Sequence, residues 1–317
     1  MTDVESSLPF EETPLPRKHY VVVGDWMTDV VAKVDRPLRY GTDTHGRIRA
    51  MGGGSAANTA CWLAANGQSV AYVGRVGDDV LGRAGTEHMR TAGVVPYVAV
   101  DPVLPSGTCI VIVGPDGERT MLPDPGANAG LEPADLPDAL FVDGAHLHLS
   151  GYVLLVEGSR PAGLAALARA RACGMTTSVD VASAGPLADT GGRQFLSWMG
   201  HVDLLFANEH EARVLVDLPE GSGPRAAAEA LSSVSHHVVV KLGAEGALWL
   251  GPAVQGESQF AQVSAHIADV VDTTGAGDAF AAGFLPAHFA GADAVTALTA
   301  GTQLAAQCVA LVGGRPN

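Results

Sequence analysis

Asp272-Thr273-Thr274-Gly275-Ala276-Gly277-Asp278-Ala279-Phe280 is the stretch around which the chain is organised. The β-branched run at 266–271 before it reads as a strand, and the apolar run at 279–285 after it reads as the start of a helix. Between the two, Gly275 and Gly277 flank an alanine directly before Asp278. Glycine lets a backbone turn tightly and come close to a ligand. The first amides of a helix have no internal partner, and the helix dipole favours negative charge there. Residues 275–278 therefore read as an anion-binding nest at a helix N-terminus. A carboxylate beside a bound phosphate is unfavourable unless it takes a proton from a group that attacks the phosphate, which makes Asp278 a candidate general base. The helix N-terminus is expected to keep it ionised. The same string also fits a glycine-rich turn in which Asp278 is a helix cap.

The chain has 317 residues and a net charge of −15. That length suits one large α/β domain or two smaller ones. An acidic surface argues against DNA, RNA and anionic membranes as partners. There are three lysines, Lys18, Lys33 and Lys241, so a lysine in a site is conspicuous. Cys61, Cys109, Cys173 and Cys308 are scattered without metal-ligand spacing, as expected of reduced thiols in the cytoplasm. Residues 1–18 are rich in acids and prolines and read as a disordered tail rather than a signal peptide. The apolar C-terminal stretch is broken by Pro286, His288 and Asp293, which excludes a membrane span there.

From 146 onward, apolar strands alternate with helices such as 161–173 and 225–232, predicting a parallel sheet covered on both faces. Ligands bind such sheets at the carboxyl ends of the strands. Asp29, Asp180, Asn208, Gly243 and residues 272–278 all follow expected strands. Short strands at 30–34 and 46–50, and a hairpin at 108–122 turning at Pro115-Asp116-Gly117-Glu118, suggest a small sheet outside the main core. His146 and His148 alternate on one strand and, with no third ligand nearby, read as core residues rather than a metal site.

Gly53-Gly54-Ser55-Ala56-Ala57-Asn58 exposes backbone amides at a helix start, and Asn58 offers both donors and acceptors, a set suited to gripping hydroxyls. Alone it equally fits a loop that needs positive φ. Asn208-Glu209-His210-Glu211 has the spacing of a capping box. Lys241-Leu242-Gly243-Ala244-Glu245-Gly246-Ala247 reads as a strand, a turn and a second strand.

These stretches, in this order along 19–317, resemble the PfkB/ribokinase family of carbohydrate kinases. The resemblance implies one ribokinase-like three-layer α/β/α domain with a mostly parallel central sheet. It also implies a small β-sheet lid, with strands from about 30–50 and 95–123. It implies ATP-dependent phosphorylation of a primary hydroxyl on a small sugar, with Asp278 as base. The amides of Gly275, Ala276 and Gly277 would hold the transferred group. Asp29, Gly53, Gly54 and Asn58 would contact the sugar. Asn208, Lys241, Gly243 and Gly246, with Gly275 and Gly277, would line the nucleotide site, and Asp180 matches a strand-end acid of the family. Glu211 would act on Mg²⁺ through water, while Asp272 and Thr274 match positions for a monovalent cation such as K⁺. Gly126-Ala127-Asn128-Ala129 resembles the loop that returns from the lid, through which relatives dimerise.

Two departures stand out. Ser55 stands where ribokinase carries a lysine, and Ser150-Gly151-Tyr152 stands where it carries a glutamate. They point away from ribose, toward a ketohexose, a modified sugar or a nucleoside, so a nucleoside kinase of the same family is an alternative. A non-catalytic sugar- or nucleotide-binding regulator is the alternative of another class, against which the intact 275–278 string argues. There is no GxxxxGK[ST], no GxGxxG after the first strand, and no HRD or DFG, which disfavours P-loop, dehydrogenase and protein-kinase readings.

Overall fold

The computed structural model describes residues 18–115, 119–219 and 221–316. Residues 1–17 of the expected tail and 116–118 of the expected hairpin turn lie outside the described residues.

The centre of the molecule is β1 (His19–Val23), whose alternate side chains serve two different cores. Tyr20 and Val22 point to one face and Val21 and Val23 to the other, all 1% exposed or less. A strand apolar on both sides belongs in the middle of a covered parallel sheet. Around β1 lie β4 (Ser69–Gly77), β5 (Val95–Asp101), β8 (His146–Ser150), β9 (Thr176–Asp180), β10 (Val202–Asn208) and β11 (Ser235–Lys241). All of these pair in parallel, in the order β11-β10-β9-β8-β1-β4-β5. An antiparallel pair, β12 (Ala247–Val254) and β13 (Glu257–Val263), closes the β11 edge.

One face is covered by α1 (Ser55–Ala65), α2 (Val80–Thr91), α9 (Ala276–Phe289) and α10 (Ala294–Val309). The other is covered by α3 (Tyr152–Leu155), α4 (Arg160–Ala172), α5 (Ala184–Thr190), α6 (Gly192–Met199), α7 (Glu209–Leu215) and α8 (Pro224–Leu231). The result is the expected three-layer α/β/α arrangement.

A second sheet, in the order β3-β2-β6-β7, stands beside the first. It consists of β2 (Met27–Val34), β3 (Gly46–Gly53), β6 (Thr108–Val113) and β7 (Arg119–Asp124). Three residues separate β1 from β2, so the small sheet springs directly from the carboxyl end of the central strand. Asn128 fixes that junction, accepting from the Trp26 amide and donating to the Trp26 carbonyl.

Two expectations need correction. Residues 95–101 do not join the small sheet; β5 pairs in parallel with β4 across α2 and extends the large one. The run at 266–271 is not a strand. β13 already occupies the sheet edge, so the run has no pairing partner, and Ile267, Val270 and Val271 remain exposed. β-branched composition promotes a strand only where a neighbour offers a pleated surface to pack on. The run is tied down at its end, where the Val271 and Asp272 amides donate to the Val309 carbonyl.

Candidate active site

The parallel register lines up polar residues at the carboxyl ends of adjacent strands. Asn208 sits opposite Lys241, and Ser150 opposite Asp180. Lys241 Nζ donates to Asp180 Oδ2 at 2.6 Å. Burial opposes the charge on Lys241, but the acids Asp180, Glu211 and Asp278 outweigh it and hold the ammonium above its usual value. Beside Ser150, Asp25 follows β1 and caps α1, accepting from the Ser55 amide at 2.8 Å and from Ser150 Oγ at 2.8 Å.

Over this row stands the N-terminus of α9. Gly275 is its N-cap, with a left-handed φ of 75°. A side chain there would collide with the Gly314 backbone, so glycine is required on two counts. At Gly277 a Cβ would come within 2.9 Å of Lys241 Nζ. No described residue accepts from the Gly277 or Asp278 amides, so both remain available to an anion. Asp278 Oδ1 accepts from Ser55 Oγ at 2.8 Å and Oδ2 from Asn58 Nδ2 at 2.9 Å. The carboxyl is crowded by protein yet still reached by water. Burial first, and the nearby Asp180 charge, push it up to about 7 against the pull of Asn58, Ser55 and Lys241. Desolvation here works against the helix terminus, which favours the ionised form.

Asp29 lies on β2, buried at 7% exposure, with its carboxyl packed over Gly53 where a side chain would otherwise be. Burial pushes it up to about 6, with Arg315 pulling it back. Gly54 has φ 93° and abuts the Asp25 carbonyl, so the loop that leads from Gly53 into α1 needs glycine here.

Asn208 and Glu211 form a complete capping box on α7. Glu211 Oε2 accepts from the Asn208 amide at 2.7 Å, and Oε1 from Asn208 Nδ2 at 2.7 Å. Glu211 is 4% exposed, and burial raises its carboxyl despite the adjacent Lys241. Gly243 and Gly246 make the β11–β12 turn with φ of 57° and 103°. Asp272 accepts from the Thr274 amide at 2.9 Å and the Gly313 amide at 2.9 Å, and pairs with Arg119 of β7 at 2.8 Å. Its single charge is thereby compensated by a guanidinium, a poor fit to a monovalent-cation ligand. His146 and His148 are fully buried and hydrogen-bonded through Ser178, as core residues.

Three residues join the site without having been singled out in the sequence: Asp25, Arg119 and Arg315. Asp25 carries only a weak signal, an acid soon after the first strand, because the helix it caps begins 30 positions later, beyond β2 and β3. The arginines carry none, because they arrive from a lid strand and from the far end of the chain.

The sequence profile of "pfkB family carbohydrate kinase" matches residues 17–317. The ATP-dependent ribose-1-phosphate kinase of Halopiger xanaduensis is 32% identical over 90% of this chain and 89% of its own length. Among solved structures, the adenosine kinase of Sinorhizobium meliloti superposes with a TM-score of 0.83 at 27% identity, covering 95% of this chain and 96% of its own. Arabidopsis thaliana ribokinase, solved with ribose and ATP, superposes at 0.77 with 25% identity, covering 96% of each chain. With its profile matched along nearly its whole length and its fold shared with such kinases, the chain belongs to the pfkB family of carbohydrate kinases.

Proposed function

We propose that this chain is an ATP-dependent kinase that phosphorylates a primary hydroxyl of a small sugar or sugar derivative, with Asp278 as general base. The observation that carries the reading is Asp278 itself. Its carboxyl is fixed by Ser55 and Asn58 at a helix start where, among the described residues, the Gly277 and Asp278 amides lack acceptors. The hydroxyl oxygen attacks the γ-phosphorus while its proton passes to Asp278, and the bond to the β-phosphate oxygen breaks. A base near neutrality combines availability with driving force. The amides at 275–278 and Lys241 face the charge that spreads over the phosphoryl oxygens. Asp29, Gly53, Gly54 and Asn58 orient the sugar, and Asn208, Gly243 and Gly246 border the nucleotide.

Mg²⁺ fits the charge balance, because three acids, Asp180, Glu211 and Asp278, act on Lys241. Among the described residues no cluster of His, Cys, Asp or Glu forms a metal cage. Such an ion would be held by substrate phosphates and water, with Glu211 acting through that water, and would neutralise phosphate charge. K⁺ activation is not expected, given the Arg119–Asp272 pair.

A homodimer through the lid is supported by the apolar outer face of the small sheet. Ile48, Ile110 and Leu122 are 69%, 50% and 53% exposed there. The four free cysteines suit a cytoplasmic enzyme, and no helix among the described residues is long and apolar enough to cross a membrane.

The test is ADP release measured over a panel of sugars and nucleosides, with Asp278→Asn as control. A panel with no acceptor, or a control as active as the wild type, would overturn the reading. A nucleoside kinase is the second reading, favoured by the superposition on adenosine kinase.

A further inference from the structure

Arg315 is 6% exposed and lies between the substrate loop and the anion loop. Its Nε donates to Asn58 Oδ1 at 3.1 Å, and its Nη2 donates to the Gly53 carbonyl. Gly52 leaves the space that the guanidinium fills. The preceding residue is clamped as well, with Trp62 Nε1 donating to the Gly314 carbonyl at 2.9 Å while Gly314 packs against Gly275 and the Asn58 amide. Nη1 is buried without a partner, so this guanidinium is held by its position rather than by complete hydrogen bonding.

We propose that Arg315 is a positioning residue for the general base, acting through Asn58; the proposal rests on the role of Asp278 given above. A guanidinium carries donors and no acceptor. The Asn58 atom that faces it must therefore be the carbonyl oxygen. That leaves the amide nitrogen for Asp278 Oδ2, at 2.9 Å. A flipped Asn58 would set nitrogen against the Arg315 donors and oxygen against the Asp278 carboxylate, two unfavourable contacts at once. Arg315 thus decides which way Asn58 faces, and Asn58 decides whether the base meets a donor or an acceptor. The other groups acting on Asp278 are Ser55 from α1, Asp180 from the end of β9 and Lys241 from the end of β11. Those that feel Arg315 are Asp29 on β2, Cys61 on α1, Tyr72 on β4 and His88 on α2.

The experiment titrates the ¹³C-labelled Asp278 carboxyl by NMR in the full-length free protein, assigned with Asp278→Asn, and needs no substrate. Arg315→Met removes the donors and keeps an unbranched side chain. The expected midpoint rises by roughly 1 unit or more, the scale of a hydrogen bond to a charged group. Arg315→Lys, with one donor group, is expected to recover part of the shift. In an Asn58→Ala background, Arg315→Met is expected to add nothing, because the relay is already cut. The same displacement should appear in the acid limb of kcat against pH. An unchanged midpoint in Arg315→Met, or an equal shift in the Asn58→Ala background, would overturn the proposal. Should Arg315→Met not fold, Arg315→Lys decides alone: a raised midpoint supports the relay and a wild-type midpoint ends it. If Asp278→Asn keeps full turnover, it is the kinase mechanism that fails, while the titration still reports on the relay.

Discussion

Arg119 Nη2 of strand β7 in the small sheet lies 2.8 Å from Asp272 Oδ1, on the loop that leads into α9. The contact ties the small sheet to the loop before α9, and it places a permanent cation on the acid that the resemblance assigns to K⁺. Wild-type turnover is therefore expected to change less than about 2-fold when K⁺ is exchanged for a large organic cation. Arg119→Ala is expected to lower kcat by roughly 10-fold, the scale of a charged hydrogen bond, and to make the rate respond to added K⁺. Strong K⁺ activation of the wild type would refute the substitution of arginine for the ion.

On the proposed role of Asp278 as general base, Asp278→Asn keeps its shape and removes that function. The expected loss in kcat is roughly 10²–10⁴-fold, with ATP affinity little changed. In the wild type the acid limb of kcat should fall as pH drops through about 7, where burial places this carboxyl. Stability runs the other way. The folded protein binds this proton more tightly than the unfolded chain, so its contribution is present in acid and is lost as pH rises from about 4 toward 7. At pH 8, Asp278→Asn is therefore expected to melt higher than the wild type in a thermal scan. A lower Tm at that pH would contradict the burial argument.

Glu211 both caps α7 and stands beside Lys241. Glu211→Gln leaves one acceptor oxygen for the two Asn208 donors, so the Tm should fall, at a cost of about 0.5–2 kcal/mol for a weakened cap. If the carboxylate also acts on the metal, the Mg²⁺ concentration for half-maximal rate should rise in the same preparation. A lower Tm with unchanged Mg²⁺ dependence would reduce Glu211 to a cap.

Asp29→Ala removes a carboxylate that has no protein hydrogen-bond partner among the described residues. Its hydrogen bonds are expected to go to the sugar, so KM for the acceptor should rise roughly 10- to 100-fold, while slow ATP hydrolysis without sugar persists. Because burial raises this carboxyl to about 6, KM should also climb below that pH in the wild type. An acceptor KM that ignores both changes would remove Asp29 from the sugar site.

Ser55 donates to Asp278 and carries no charge, and Ser150 donates to Asp25 rather than facing the cleft as an acid. D-ribose is therefore expected to give a lower kcat/KM than a ketohexose, a modified sugar or a nucleoside. A panel led by ribose would refute this and leave the kinase intact.

What could be read in the sequence was local. Gly275 to Asp278 announced a helix start because glycine spacing, helix polarity and a carboxylate coincide within four residues. Asn208 and Glu211 announced a capping box for the same reason. The protonation of Asp278 could not be read, since it depends on Asp180 and on burial beneath residues far away in the chain. Nor could the partners of Asn58, since Arg315 lies 257 positions away. The run at 266–271 misled because strand identity belongs to the neighbour as much as to the residues, and β13 had already taken the edge.

The seat of residues 313–315 between Gly275, Met51 and Asn58 also has a consequence for how the protein matures. These residues follow α10 and leave the ribosome after every strand and helix described. Neither hydrophobic core includes these residues, and their tie to the cores is the hydrogen bond from Trp62 to the Gly314 carbonyl. Docking of this segment then joins parts of the chain that lie 257 and 262 positions apart, the kind of contact that forms slowly. In refolding experiments, recovery of activity should lag behind recovery of the sheet signal, and the length of that lag would time the closing of the last joint.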